Sequence, residues 1–300
     1  MSSQEYRLLV RNFFLPSRER MKQQHADYQV VPYPKMRRLE AIAYRSVQHK
    51  PMIHGLLEVD VTRARAFLRK HKAITGESLS FTAFLIACLA KAVDEHKAVQ
   101  AYRKGSKRLI LFDEVDVYTP IERNVAGQKQ LIPYIIRAAN RKTFREIHHE
   151  IRAAQVQDVA KAWEGFKAIH WPWLLLLSAF RVMVWMGERS PQVWKKYRGT
   201  VGITAVGMFG KGAGWGIPLP SHSLWLTVGG IGEKPGVVDG YIAIREYLSL
   251  TISFDHETID GAPAVRFTQR LKELIEGGYG LDDSRVSRTP GDGLDCWRFV

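Results

Sequence analysis

The sequence predicts an α+β fold, a mixed sheet flanked by helices, and three observations carry that expectation. Strand-like and helix-like stretches succeed one another without a regular β-α-β alternation. No internal repeat with a period of roughly 20 to 50 residues is visible. From about residue 199 the chain turns rich in strands and glycine before a last amphipathic helix. With 300 residues, 46% hydrophobic and 25% charged, it can bury a large core as one domain or two.

Each element has its own local reason. Residues 1–35 are a basic, proline-punctuated arm (FFLPSRERMKQQ, VVPYPK) without a long periodic segment. MRRLEAIAYRSV is expected to be a helix. In GLLEVDVT, Leu57, Val59 and Val61 alternate with Glu58 and Asp60, the period of a half-buried strand. Asp60 and Thr62 then offer side-chain oxygens to cap the helix RARAFLRKHKAI. SLSFTAFLIACLAKAVDEH reads as a buried helix whose polar residues gather at its end. Strand-like runs follow at RLILF, VDVYTP and QLIPYIIR, and after them a charged helix, TFREIHHEIRAAQVQDVAKAW. Beyond an apolar stretch at 171–186 come GTVGITAVGMFG, LWLTVGGI and YIAIREYLSLTISF. The helix APAVRFTQRLKELIEG and a polar tail, 278–300, close the chain.

Composition narrows the function. There are two cysteines, Cys88 inside an apolar helical run and Cys296 near the end, so neither a disulfide framework nor a cysteine metal site is expected. The N-terminus scatters charges where a secretory signal needs an apolar run. A cytoplasmic protein is expected. The formal net charge of +14 favours anionic partners. With no zinc-finger spacing and no basic stripe interleaved with aromatics, nucleic acid is not expected among them.

The chemistry concentrates in FDHETIDG, residues 254–261, at the end of the last strand-like run. A general base must be neutral near pH 7 and fixed in one tautomer. His256 meets the first condition by type, and a strand end running into a helix can supply the second. Asp260, four residues on, can accept a hydrogen bond or a guanidinium, and Gly261 admits backbone geometry closed to other residues. Residue types alone leave a second reading open, in which Asp260 caps the following helix and His256 is a turn residue.

YLSLTISFDHETIDGAPAVRFTQRLKELIE resembles the C-terminal signature of the dihydrolipoamide acyltransferases, the core subunits of 2-oxoacid dehydrogenase complexes, with its pattern D-H-x-x-x-D-G before an apolar helix. GTVGITAVGMFG is similar to the family's glycine-bounded strand carrying a Ser or Thr. EVDVT, SFTAFLIACLAKAV and LIPYIIRAANRKTFREIHHEIR stand in family order, so the likeness covers residues 36–277. It implies a chloramphenicol acetyltransferase-like mixed sheet flanked by helices, in homotrimers or a larger cage, with active sites between subunits. His256 is then the base that deprotonates the thiol of coenzyme A or dihydrolipoamide, and the thiolate attacks an acyl thioester directly. Thr204 would stabilise the oxyanion from the adjacent subunit. Asp260 would organise the site, with Arg45 as its partner.

The likeness has limits. Glu257 follows the histidine where these enzymes usually have arginine, and an adjacent carboxylate can raise the basicity of His256. No lipoyl domain, subunit-binding module or Ala/Pro-rich linker is visible in the sequence. The implied lipoyl group is therefore expected on a separate chain, beside 2-oxoacid dehydrogenase subunits, unless the acceptor is not a lipoyl group. Transfer to a small hydroxyl, amine or thiol acceptor, and a non-catalytic scaffold role, are the alternatives. Residues 165–198 are an insertion whose apolar run, 171–186, is broken by Ser178 and Arg181. It is shorter than the roughly 20 residues a span needs. Packing on the domain or a neighbouring subunit is the expected cover, with membrane-surface contact the competitor.

Overall fold

The computed structural model describes residues 50–125, 128–156 and 189–281, with positions 41, 42, 178, 182, 185 and 186 besides. The chain divides into two compact units, 1–43 and 44–300, and the architecture below is that of the second. In chain order its elements are β1 (Met52–Asp60), α1 (Thr62–Thr75), α2 (Phe81–Glu95), β2 (Tyr102–Lys104), β3 (Arg108–Ile110), β4 (Val117–Val125) and β5 (Gln128–Ile136). There follow α3 (Phe144–Val156), α4 (Pro191–Arg198), β6 (Val201–Ala205), β7 (Leu224–Val238), β8 (Tyr241–Asp255) and α5 (Gly261–Glu276).

The main sheet has six strands in the order β1-β8-β7-β6-β4-β5, and β2 with β3 forms a separate hairpin. Strands β4, β6 and β7 are parallel, whereas the β1, β8 and β5 pairings are antiparallel. This is the mixed sheet with flanking helices that the sequence leads one to expect. Helix α2 is its centre. Ala83 to Ala90 are all buried, so that stretch has no polar face to show water, and the helix packs against α3 and α5. Its start is fixed by Ser80, whose hydroxyl accepts from Ala83 N at 3.2 Å. At the start of α1, Asp60 Oδ1 accepts from both Thr62 N (2.9 Å) and Thr62 Oγ1 (2.6 Å).

Strand β8 shows how period-two alternation builds the site's floor. Leu248, Leu250, Ile252 and Phe254 enter the helical core, while Ser249, Thr251 and Ser253 face the other way and are buried as well. The segment after β6 covers that second face: Gly214 bridges to Gly230 and donates to Ser249 Oγ at 3.2 Å, and Trp215 Nε1 donates to Leu57 O at 3.2 Å.

Several elements differ from the sequence expectation. LWLTVGGI continues through Pro235 to Val238, and a register shift between Val228 and Ile231 hides the continuity. Asp239 (φ 50°) and Gly240 (φ 85°) close the β7–β8 hairpin, a two-residue Asp-Gly turn. Pro235 is tolerated because β6 has stopped pairing by then, leaving β7 an edge. The short β2 and the helix α4 also escaped notice, although α4 carries helix signals: Ser190 as N-cap, Pro191 in the first turn and basic residues in the last. The expected helix at 36–47 falls outside the described residues except at Ala41 and Ile42, which are helical. Most of the 171–186 run also falls outside them; Val182, Trp185 and Met186 are helical and exposed, and the Arg189 guanidinium lies 4.2 Å from the Trp185 ring. Among the described residues no helix is long and apolar enough to cross a membrane.

Candidate active site

His256 sits in the turn between β8 and α5, and backbone bonds fix that turn on every side. Asp255 N donates to Ser223 O and His256 N to Pro51 O, each at 2.9 Å. Asp255 O accepts from Thr258 N (3.0 Å), Ile259 N (3.1 Å) and Thr258 Oγ1 (3.0 Å). The Asp255 carboxylate is buried: Oδ1 accepts from Glu257 N at 3.1 Å and Oδ2 from the Lys50 ammonium at 2.9 Å. A rigid backbone thus presents an imidazole whose side chain is 47% exposed. This meets the demand that a base be held yet reachable.

Asp260 is the N-cap residue of α5 but makes no side-chain cap bond. Its carboxylate is 88% exposed and stands 3.9 Å from His256 Nδ1, too far for a hydrogen bond. Arg45 lies outside the described residues. Glu257 turns from the imidazole towards the β2–β3 hairpin, where Arg103 Nη2 pairs with it at 3.2 Å.

Thr204 is half-buried on β6, in register with Thr227, which is in register with Thr251. It helps line a cavity of about 540 Å³ with Thr119, Glu122, Arg152 and Gln155, and His256 is not among the lining residues. Gly207 follows within GMFG because a Cβ there would lie 1.8 Å from Gly229 O. His256 is two strands across from Thr204 and five residues beyond Thr251. At about 4.8 Å per strand and 3.4 Å per residue the two side chains are on the order of 20 Å apart. Within one chain they do not meet.

Sequence reasoning missed three residues that shape this region. Lys50 and Asp255 form a part-buried ion pair at the turn that carries the histidine, and Asp255 was legible as a residue of the motif. His222 is fully enclosed by Tyr118, Trp194 and Trp225, with ring centroids 5.3 to 5.7 Å away. Its Nε2 donates to Arg198 O at 2.8 Å, and Ser221 Oγ donates to Nδ1 at 2.9 Å. Burial, seconded by the charges of Arg198 and Lys50, pushes its pKa down to about 3 and keeps it neutral. Elsewhere Glu77 lies near His71, His148 and His149, with the Glu77, His148 and His149 ligand atoms within 4.8 Å of one another. Ser80 N donates to His148 Nδ1 at 3.1 Å, so a neutral His148 carries its proton on Nε2 and has no lone pair there for a metal.

The catalytic domain of the 2-oxoacid dehydrogenases acyltransferase family matches residues 25–162 and 195–280. The chain belongs to this family. A relative is the lipoamide acyltransferase component of the branched-chain alpha-keto acid dehydrogenase complex of Bacillus subtilis, 26% identical over 239 residues that make up 77% of this chain and 48% of that one. The chain spans about half the length of the curated relatives it matches. The same fold occurs in a probable dihydrolipoamide acetyltransferase of Listeria monocytogenes (TM-score 0.63, 24% identity, 84% of this chain and 96% of that one). It occurs too in the dihydrolipoamide acetyltransferase of Azotobacter vinelandii (TM-score 0.63, 21% identity, 85% and 94%), studied for the roles of a serine, a histidine and an asparagine in its catalytic mechanism.

Proposed function

We propose that this acyltransferase-family chain moves an acyl group between coenzyme A and a dihydrolipoyl group carried on a separate chain. The observation that carries the reading is the presentation of His256, half-exposed on a turn fixed by backbone bonds at Asp255 and His256. A second one supports it. The serine, histidine and asparagine studied in the Azotobacter enzyme are spaced along that chain as Thr204, His256 and Asp260 are along this one.

In this mechanism the imidazole takes the proton from the attacking thiol, and the thiolate adds to the thioester carbonyl of the acyl donor. The new C–S bond leaves a tetrahedral oxyanion, to which the Thr204 hydroxyl donates a hydrogen bond. Collapse breaks the old C–S bond, and the departing thiolate takes the proton back from His256. Because Thr204 and His256 are on the order of 20 Å apart in one chain, the working site joins two copies, one giving the base and the next the oxyanion donor. The homotrimer that the family likeness implies, with a boundary between each copy and the next, meets this need. Asp260, with Arg45 as its partner, then organises the turn once the copies meet.

The test supplies acetyl-CoA and measures acetyl transfer to free dihydrolipoamide and, in parallel, to a panel of small hydroxyl, amine and thiol acceptors. Transfer to dihydrolipoamide that His256→Ala abolishes, with the melting temperature kept, is the expected result. Transfer confined to another acceptor would replace the lipoyl assignment, and no transfer to any would leave a scaffold role.

A further inference from the structure

The base needs a fixed position, yet among the described residues no side chain hydrogen-bonds to the imidazole, and the Asp260 carboxylate stands 3.9 Å from Nδ1. Beside the bonds within the turn and to Ser223, residues 50 and 51, just before β1, hold it from outside. Pro51 O accepts from His256 N at 2.9 Å, and the neighbouring Lys50 ammonium donates to Asp255 Oδ2 at 2.9 Å. The two consecutive residues at the start of the edge strand therefore grip the two consecutive residues at the end of β8, one by backbone and one by charge. The Asp255 side chain is 3% exposed and that of Lys50 28%, so the pair is shielded from salt and its partner loss is costly. The ammonium also rests 5.9 Å from the ring of Trp194, a buried residue of α4. Trp194 packs on Tyr102 and His222, with centroids at 5.8 and 5.6 Å. Helix α4 is the end of the segment read from the sequence as an insertion.

The geometry points to Lys50 as a positioning residue for His256: seated on the aromatic platform of α4, it locks the Asp255 carboxylate and with it the backbone that aims the base. The inference rests on the base role proposed for His256 and adds to it a part for α4. The charged groups of this turn are Asp255, paired with Lys50, Asp260 at the start of α5, 3.9 Å from His256 Nδ1, and Glu257 with its partner Arg103 from β2. Glu257 is neutralised by Arg103, and Asp255 by Lys50. Removing the ammonium leaves a buried carboxylate next to His256, which favours the imidazolium and loosens the turn.

The experiment compares Lys50→Met, Lys50→Arg and Trp194→Phe with the wild type by kcat, KM for acetyl-CoA, melting temperature, and carbethoxylation of His256 read by peptide mass across pH. Modification needs the neutral ring and requires no turnover. Expected for Lys50→Met is a kcat lower by roughly ten- to a hundredfold, the effect of a small misplacement of a reacting group, with KM within about twofold. Its His256 modification should move to higher pH by about half a unit or more, and Lys50→Arg should restore most of both. Wild-type kcat and an unmoved modification profile in a folded Lys50→Met would overturn the inference. If that variant does not fold, an unmoved profile in a folded Trp194→Phe overturns it, and a displaced profile in Trp194→Phe upholds it. Should the wild type transfer no acyl group, the proposed function falls, while the modification profiles still decide whether Lys50 sets the environment of His256.

Discussion

Mixing two inactive variants tests the division of the site between copies most directly. His256→Ala removes the proposed base and keeps Thr204; Thr204→Ala removes the proposed oxyanion donor and keeps His256. A preorganised donor of this kind lowers the barrier by about 2.7 to 4 kcal/mol, so Thr204→Ala alone should retain on the order of 10⁻² to 10⁻³ of kcat. The side chains are two strands and five residues apart in one chain, on the order of 20 Å, whereas an oxyanion donor and a base serving one carbonyl must both reach it within hydrogen-bond range. If copies alternate around a closed ring, an intact site forms wherever a Thr204→Ala copy supplies His256 to a His256→Ala neighbour. In an equal mixture after random exchange the chance of that ordered pair is about one in four, whatever the ring size. Acetyl transfer to dihydrolipoamide should recover to roughly a quarter of the wild-type rate per subunit, with exchange verified by native mass spectrometry of a tagged variant. Exchange without recovery would refute the shared site.

Two further predictions concern stability. His222 is buried neutral, its pKa pushed down to about 3 from an ordinary 6.5; unfolding frees it to bind a proton, so its contribution is complete above about pH 6.5 and is lost as pH falls towards 3. The slope approaches about 1.4 kcal/mol per pH unit within that window, and His222→Gln should flatten the fall in melting temperature between roughly pH 6 and 4. Parallel curves for the two proteins would show that His222 titrates normally. Among the described residues the buried Thr251 Oγ1 has no hydrogen-bond partner, so the isosteric Thr251→Val should raise unfolding free energy in urea by about 1 kcal/mol, whereas a loss of similar size would mean that the hydroxyl is satisfied in the assembled protein.

The sequence alone determined what depends on short-range pattern. Alternation marked β8, and its Leu, Ser, Leu, Thr, Ile, Ser, Phe order is the order of its two buried faces. The all-apolar run around Cys88 marked the central helix, and FDHETIDG marked the turn that presents His256. These are legible because side-chain period and capping chemistry act over a few residues. What lies between distant parts of the chain was decided only by tertiary structure. The 205 positions separating Lys50 from Asp255 conceal a part-buried ion pair that neither residue's neighbours signal. The enclosure of His222 needs rings from β4, α4 and β7 at once. The distance between Thr204 and His256 likewise follows from strand order, β6 beside β7 beside β8, which local pattern does not encode: pairing is fixed by which faces can share one core, and that is a property of the whole chain.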